Sequence, residues 1–146
     1  MKKNLKFTAL SAFLLMLAGL MVSCNDKDTC PLEDTSWKLA GIVDAETESL
    51  TVLEPRDCRQ CFTIRFGRNH TFTVHSSIND LSGTYEIDHT TNAFRFIAMV
   101  GTDINERGDG ALFVATLQLV RSFSLQGNAL RLYYHDRQNY LLFNQQ

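Results

Sequence analysis

The residues of this chain best suited to covalent chemistry are its four cysteines, Cys24, Cys30, Cys58 and Cys61. Cys58-Arg59-Gln60-Cys61 is a C-x-x-C pair, the spacing of redox dithiols and of half of many zinc sites. A redox pair wants its first cysteine at the start of a helix, where the dipole favours the thiolate. Here Cys61 runs directly into Phe62-Thr63-Ile64-Arg65-Phe66, an alternating strand pattern. Adding His70 and His75 supplies zinc-ligand types, but the spacing is not that of a finger. The histidines also fall in a turn signal and at a strand end. A disulfide is therefore the expected use. Cys30 is expected to pair with Cys58 or Cys61, closing a loop of about 30 residues and contributing roughly 3–4 kcal/mol.

No other constellation offers catalysis. His70, His75, His89 and His135 lie in or beside hairpin turns, and no serine or cysteine motif sets a nucleophile beside a base. Asp103 with Glu106, and Glu33 with Asp34, read as solvated loop charges. The expectation is a protein that is not an enzyme and that uses no metal or cofactor.

The N-terminus reads as an address. Lys2, Lys3 and Lys6 precede an apolar run from Ala9 to Val22 that closes at Ser23-Cys24. That is the layout of a secretory signal, and the run is shorter than the roughly 20 residues a spanning helix needs. Leu20-Met21-Val22-Ser23-Cys24 resembles a bacterial lipobox, which implies a signal peptide over residues 1–23, lipidation at Cys24 and a tether over 24–31. The polar Asn25-Asp26-Lys27-Asp28 resembles the acidic stretch behind the lipid-bearing cysteine of surface lipoproteins from Bacteroides-like bacteria. The expected location is the outer membrane, periplasmic or surface-exposed, with the membrane reached through the lipid. Export also favours disulfides.

The remaining residues, 32–146, suit one domain. The chain of 146 residues has a formal charge of −2; removing residues 1–23 takes away three lysines and no acid, leaving −5. Such a balance argues against a nucleic-acid partner. Period-two alternation recurs in Ser36–Val43, Phe62–Phe66, Thr71–His75, Thr84–Asp88, Phe94–Phe96, Phe123–Leu125, Leu130–Tyr134 and Tyr140–Phe143. Turn signals separate the runs at Gly67–His70, Thr90–Asn92, Gly127-Asn128 and Asp136–Asn139. The predicted fold is mainly β: a small antiparallel barrel or sandwich of about eight strands with one short helix. That helix is placed at Gly110–Val120, with Leu112, Ala115, Thr116, Leu119 and Val120 at near-helical spacing and Asp109 as its cap. Between Phe96 and the helix, Ala98–Gly110 shows no strand alternation and reads as one long loop, the kind of segment that carries binding function.

The order of elements resembles the META-domain (HslJ-like) family of envelope proteins, in a divergent form. The likeness rests on Leu32-Glu33-Asp34-Thr35-Ser36-Trp37-Lys38-Leu39, on Asn79, Gly83 and Tyr85 within Ile78–Tyr85, and on Leu117–Leu132. Ile78 stands where the family has a cysteine, and the second family cysteine near Thr102 is absent. The resemblance implies a β-rich fold without an established catalytic site. A weaker likeness joins Val100-Gly101-Thr102 to the Ile-Gly-Thr stretch with which staphostatin-like inhibitors block papain-like cysteine proteases. It implies a partner-binding loop of Met99, Val100, Gly101, Thr102, Asp103 and Ile104, with a secreted papain-like cysteine protease as the protein partner. The alternatives are a lipocalin-like carrier of a small apolar ligand, or an envelope stress or adhesion lipoprotein. The carrier would need a poorly filled interior, which the many aromatic residues argue against.

Overall fold

The computed structural model describes residues 30–102 and 105–146. The signal peptide, Cys24, most of the tether, Asp103 and Ile104 lie outside the described residues. Pro31–Gln146 forms one unit. Its elements are β1 (Thr35–Asp44), β2 (Leu50–Thr51), β3 (Thr63–Phe66), β4 (Thr71–His75), β5 (Asp80–Asp88), β6 (Ala93–Gly101), α1 (Gly108–Leu119), β7 (Ser122–Gln126), β8 (Ala129–Tyr134) and β9 (Asn139–Gln145). The nine strands form one antiparallel sheet. They follow chain order from β3 to β9, and β1 pairs with both β3 and β9, so the sheet closes on itself as a ring. No helix among the described residues is long and apolar enough to cross a membrane.

Alternation builds this ring. In β1, β3, β4 and β8 every second side chain is buried, which is what one dry and one wet face require. The interior is filled by Trp37, Phe66, Phe72, Tyr85, Phe94 and Phe143, all fully buried. Phe66 meets Tyr85 edge-on at 5.0 Å between ring centroids, and Tyr85 stacks on Phe94 at 5.4 Å, geometries that aromatic quadrupoles favour. Gly41 sits where a Cβ would lie 2.5 Å from the Thr51 carbonyl oxygen, so the glycine lets β2 come alongside β1.

Two expectations are corrected. The segment read as a loop from Ala98 onward is strand as far as Gly101: Val100 pairs with Ser82 and Gly101 with Leu81. A β-bulge opposite Ser82–Thr84 puts Ala98 at φ +50° and shifts the inward-outward phase. The alternation resumes out of step, and the sequence therefore looks patternless. The helix starts at Gly108 with Arg107 at its N-cap and no side-chain cap bond. Asp109 lies inside the first turn and accepts the Glu54 backbone N–H at 2.7 Å.

The buried face of α1 is Gly110, Phe113, Thr116 and Leu117, with Val120 buried beyond its end; Leu112, Ala115 and Leu119 are exposed. β6 and β7 pair only at Ala93 and Ser122. The next contact is the Phe94 N–H to the Arg121 carbonyl at 3.0 Å. Upstream of that point the chain is α1, which packs against β6. The helix thus takes the place along the chain where a longer β7 would otherwise pair with β6.

Candidate functional site

At one end of the ring four segments meet: the turn from Cys58 to Phe62, the Ser76–Asn79 connection between β4 and β5, the end of β6, and the segment leading into α1. Glu106 ties the segment leading into α1 to the Ser76–Asn79 connection. Its carboxylate accepts from Ser76 Oγ (2.6 Å), Ser77 Oγ (2.6 Å), the Ser77 N–H (2.9 Å) and Asn79 Nδ2 (3.0 Å). Burial pushes the Glu106 carboxyl up, but the donors from Ser76, Ser77 and Asn79 outweigh it and hold the group at about 2. Ser76 and Asn79 are themselves buried. A Cβ at Gly110 would collide with Glu106 Oε1 and Ser77 Oγ, so a side chain there would have to push the Glu106 and Ser77 side chains out of this knot. Glu106 is therefore an anchor and not the solvated loop charge expected from sequence.

The anchor positions the predicted partner-binding residues. Thr102 donates its hydroxyl to Asn79 Oδ1 at 2.7 Å and accepts the Asp80 N–H at 3.2 Å, while its own N–H goes to the Asp80 carbonyl at 3.0 Å. Met99 is half-buried, and Val100 is 65% exposed. A Cβ on Gly101 would stand 2.6 Å from the Asp80 carbonyl oxygen. The glycine serves the close approach of β6 to β5, a role set by the sheet. Ile78, at the tip of the neighbouring turn, is 49% exposed. Val100 and Ile78 are thus apolar side chains presented to solvent from a backbone fixed by hydrogen bonds.

The cysteines overturn the expected pairing. The disulfide joins Cys58 to Cys61, with Cα atoms 5.4 Å apart. Cys30 is buried and takes no part in that disulfide. The turn before β3 brings the two near cysteines within bridging distance, and closing so short a loop costs less chain entropy than reaching back to Cys30. Lys38 on β1 holds the turn, donating from Nζ to the Cys58 carbonyl at 2.8 Å and to the Cys61 carbonyl. Desolvation lowers the Lys38 pKa. The histidines go elsewhere: His70 packs against the Tyr85 ring at 5.2 Å, and His75 Nδ1 lies 2.6 Å from Asp80 Oδ1. No group of three or more His, Cys, Asp or Glu among the described residues is placed to hold a metal.

Sequence reasoning missed Glu106, Ser76, Ser77 and Lys38. The polar cluster Ser76-Ser77-x-Asn79 was the available signal, since small polar side chains at a hairpin tip commonly bond backbone and neighbours. Its partner Glu106 lies far along the chain.

The META domain family matches residues 30–146. A protein of Tannerella forsythia named "Putative lipoprotein" is 31% identical over 137 residues, covering 92% of this chain and 91% of that protein. Among solved structures, a DUF4847-family protein from Bacteroides vulgatus superposes with a TM-score of 0.61 at 16% identity, covering 78% of this chain and 94% of its own. A protein from Burkholderia xenovorans gives 0.63 at 18% identity, covering 79% and 83%. At such identities the two structures speak for the fold alone. The family match spans the whole ring with its helix and the Glu106 knot, and the chain belongs to the META-domain family.

Proposed function

We propose that this chain is a lipid-anchored protein of the cell envelope that acts by binding another protein at the end of the ring where β6, the Ser76–Asn79 turn and α1 meet. The observation that carries the reading is the exposure of Val100 and Ile78 on a backbone locked by Glu106 and Thr102. Exposed apolar side chains on a rigid support cost little ordering entropy when they dock. The likeness to the Tannerella forsythia protein named "Putative lipoprotein" supports a lipid anchor, for which Cys24 is the candidate. The filled interior favours an external working surface over a carrier's cavity.

In its most concrete form the partner is a papain-like cysteine protease, with Val100-Gly101-Thr102 and the neighbouring Asp103 and Ile104 at the contact. The test is titration of the protein against papain-like proteases of the same organism, following peptide cleavage. Stoichiometric inhibition is expected. Val100→Asp is the informative variant, because Gly101 is hemmed in by the Asp80 carbonyl and its replacement disturbs the sheet. Val100→Asp should weaken binding about tenfold or more while changing stability by less than about 0.5 kcal/mol. Unchanged inhibition by Val100→Asp would remove this surface from the reading. No inhibition of any protease would leave the envelope binding protein without this class of partner.

A further inference from the structure

The pair Cys58–Cys61 is more than a local staple. Cys58 is half-buried while Cys61 is only 2% exposed, so Cys58 is the more open of the two residues to an external thiol. Each sulfur also has a partner suited to the reduced state. The Cys61 backbone N–H points at Cys58 Sγ at 3.2 Å, where it would stabilise a thiolate. Cys61 Sγ lies 3.6 Å from the Ser77 carbonyl oxygen, an acceptor that only a protonated thiol can use. Lys38 binds both cysteine carbonyls from across the turn. It keeps the backbone of the pair in place when the bond opens, and its ammonium adds positive charge beside the turn. Opening so short a loop releases little chain constraint, so the fold does not depend on the bond.

We propose that Cys58–Cys61 is an exchangeable disulfide, with Cys58 as the sulfur that meets external thiols and Cys61 as the resolving sulfur. The co-reactant is a small monothiol of the glutathione class. Its thiolate attacks Cys58 Sγ; a mixed disulfide forms, the Cys58–Cys61 bond breaks, and its electron pair leaves on Cys61. Cys61 takes a proton from water and donates it toward the Ser77 carbonyl. A second thiolate attacks the outer sulfur of the mixed disulfide, releasing the oxidised small disulfide and leaving Cys58 as the thiolate facing the Cys61 N–H. Two thiolates thus supply the two electrons. This step replaces the helix dipole that redox pairs ordinarily use with one backbone N–H and one lysine. It is independent of the partner reading, and Val100→Asp is expected to leave it unaltered.

The experiment equilibrates the full chain, with Cys24 and Cys30 in place, in glutathione buffers running from oxidising to reducing. Free thiols are alkylated and assigned by peptide mass mapping while circular dichroism follows the fold. Cys58 and Cys61 should become alkylated together within the series, with native dichroism throughout. In single variants, Cys58 of Cys61→Ser should form a mixed disulfide with oxidised glutathione about tenfold or more faster than Cys61 of Cys58→Ser. Three results overturn the proposal: a pair that stays oxidised at the reducing end, a pair that opens only as the fold is lost, or equal or reversed rates in the two variants.

Discussion

Replacing Glu106 with alanine is expected to destabilise the fold by about 1–3 kcal/mol, because it removes an acceptor from the Asn79 amide and the Ser77 N–H and leaves the buried Ser76 hydroxyl with the Asn79 carbonyl alone. The carboxylate accepts from two serine hydroxyls, an asparagine amide and the Ser77 N–H, and it stands just ahead of α1, where the helix dipole favours negative charge. The same group makes stability depend on pH. Its folded-state pKa lies at about 2, below the ordinary 4.5, so the unfolded chain binds the proton more tightly. The contribution is therefore whole above pH about 4.5 and is lost as pH falls toward 2. Allowing for solvent screening of a half-exposed group, this amounts to something on the order of 1–2 kcal/mol. Urea unfolding at neutral and acid pH measures it. Glu106→Gln should keep the shape and flatten the acid limb; an acid limb identical to that of the native chain would assign the pH dependence to other carboxylates.

The parts of the molecule that were legible in the sequence are those where neighbours along the chain share one physical demand. Ile64 and Phe66, Phe72 and Val74, and Leu130 and Leu132 repeat every second residue because each faces the same interior, and period two exposes that directly. The reading fails wherever the demand comes from far away. Glu106 finds donors about 30 residues upstream, and nothing in its immediate sequence distinguishes it from the acids of a solvated loop. The end of β6 was hidden by one bulge, which moved the phase without changing composition. The cysteine pairing turned on whether the chain bends between Cys58 and Cys61, which residue spacing permits and does not require. The residues read as a partner-binding loop prove in part to be strand: Val100 is presented by β6, and Gly101 is there for the strand's neighbour.

The helix shows how a correct element can still leave its buried face unread, and it yields the largest expected loss. Phe113→Ala should cost about 3–5 kcal/mol, the range for removing a buried phenyl ring. Phe113 is fully buried and meets Phe62 edge-on at 5.4 Å and Phe143 at 6.3 Å. Those partners belong to the approach to β3 and to β9, so this one ring couples α1 to both sides of β1. Leu112 and Leu119, whose near-helical spacing marked the element in the sequence, are exposed, and Leu112→Ser should change stability by less than about 0.5 kcal/mol. The segment is apolar on most of its circumference, so periodicity alone cannot choose between the two faces. Only the aromatic ring fits the space between Phe62 and Phe143. Urea midpoints for the two variants, with amide exchange across Gly108–Leu119, decide the matter. Phe113→Ala should loosen α1 ahead of the strands, because β3, β4, β8 and β9 retain their ladder bonds without it. If Leu112→Ser proved the costlier change, the helix would be rotated from the orientation in which it buries Phe113, Thr116 and Leu117.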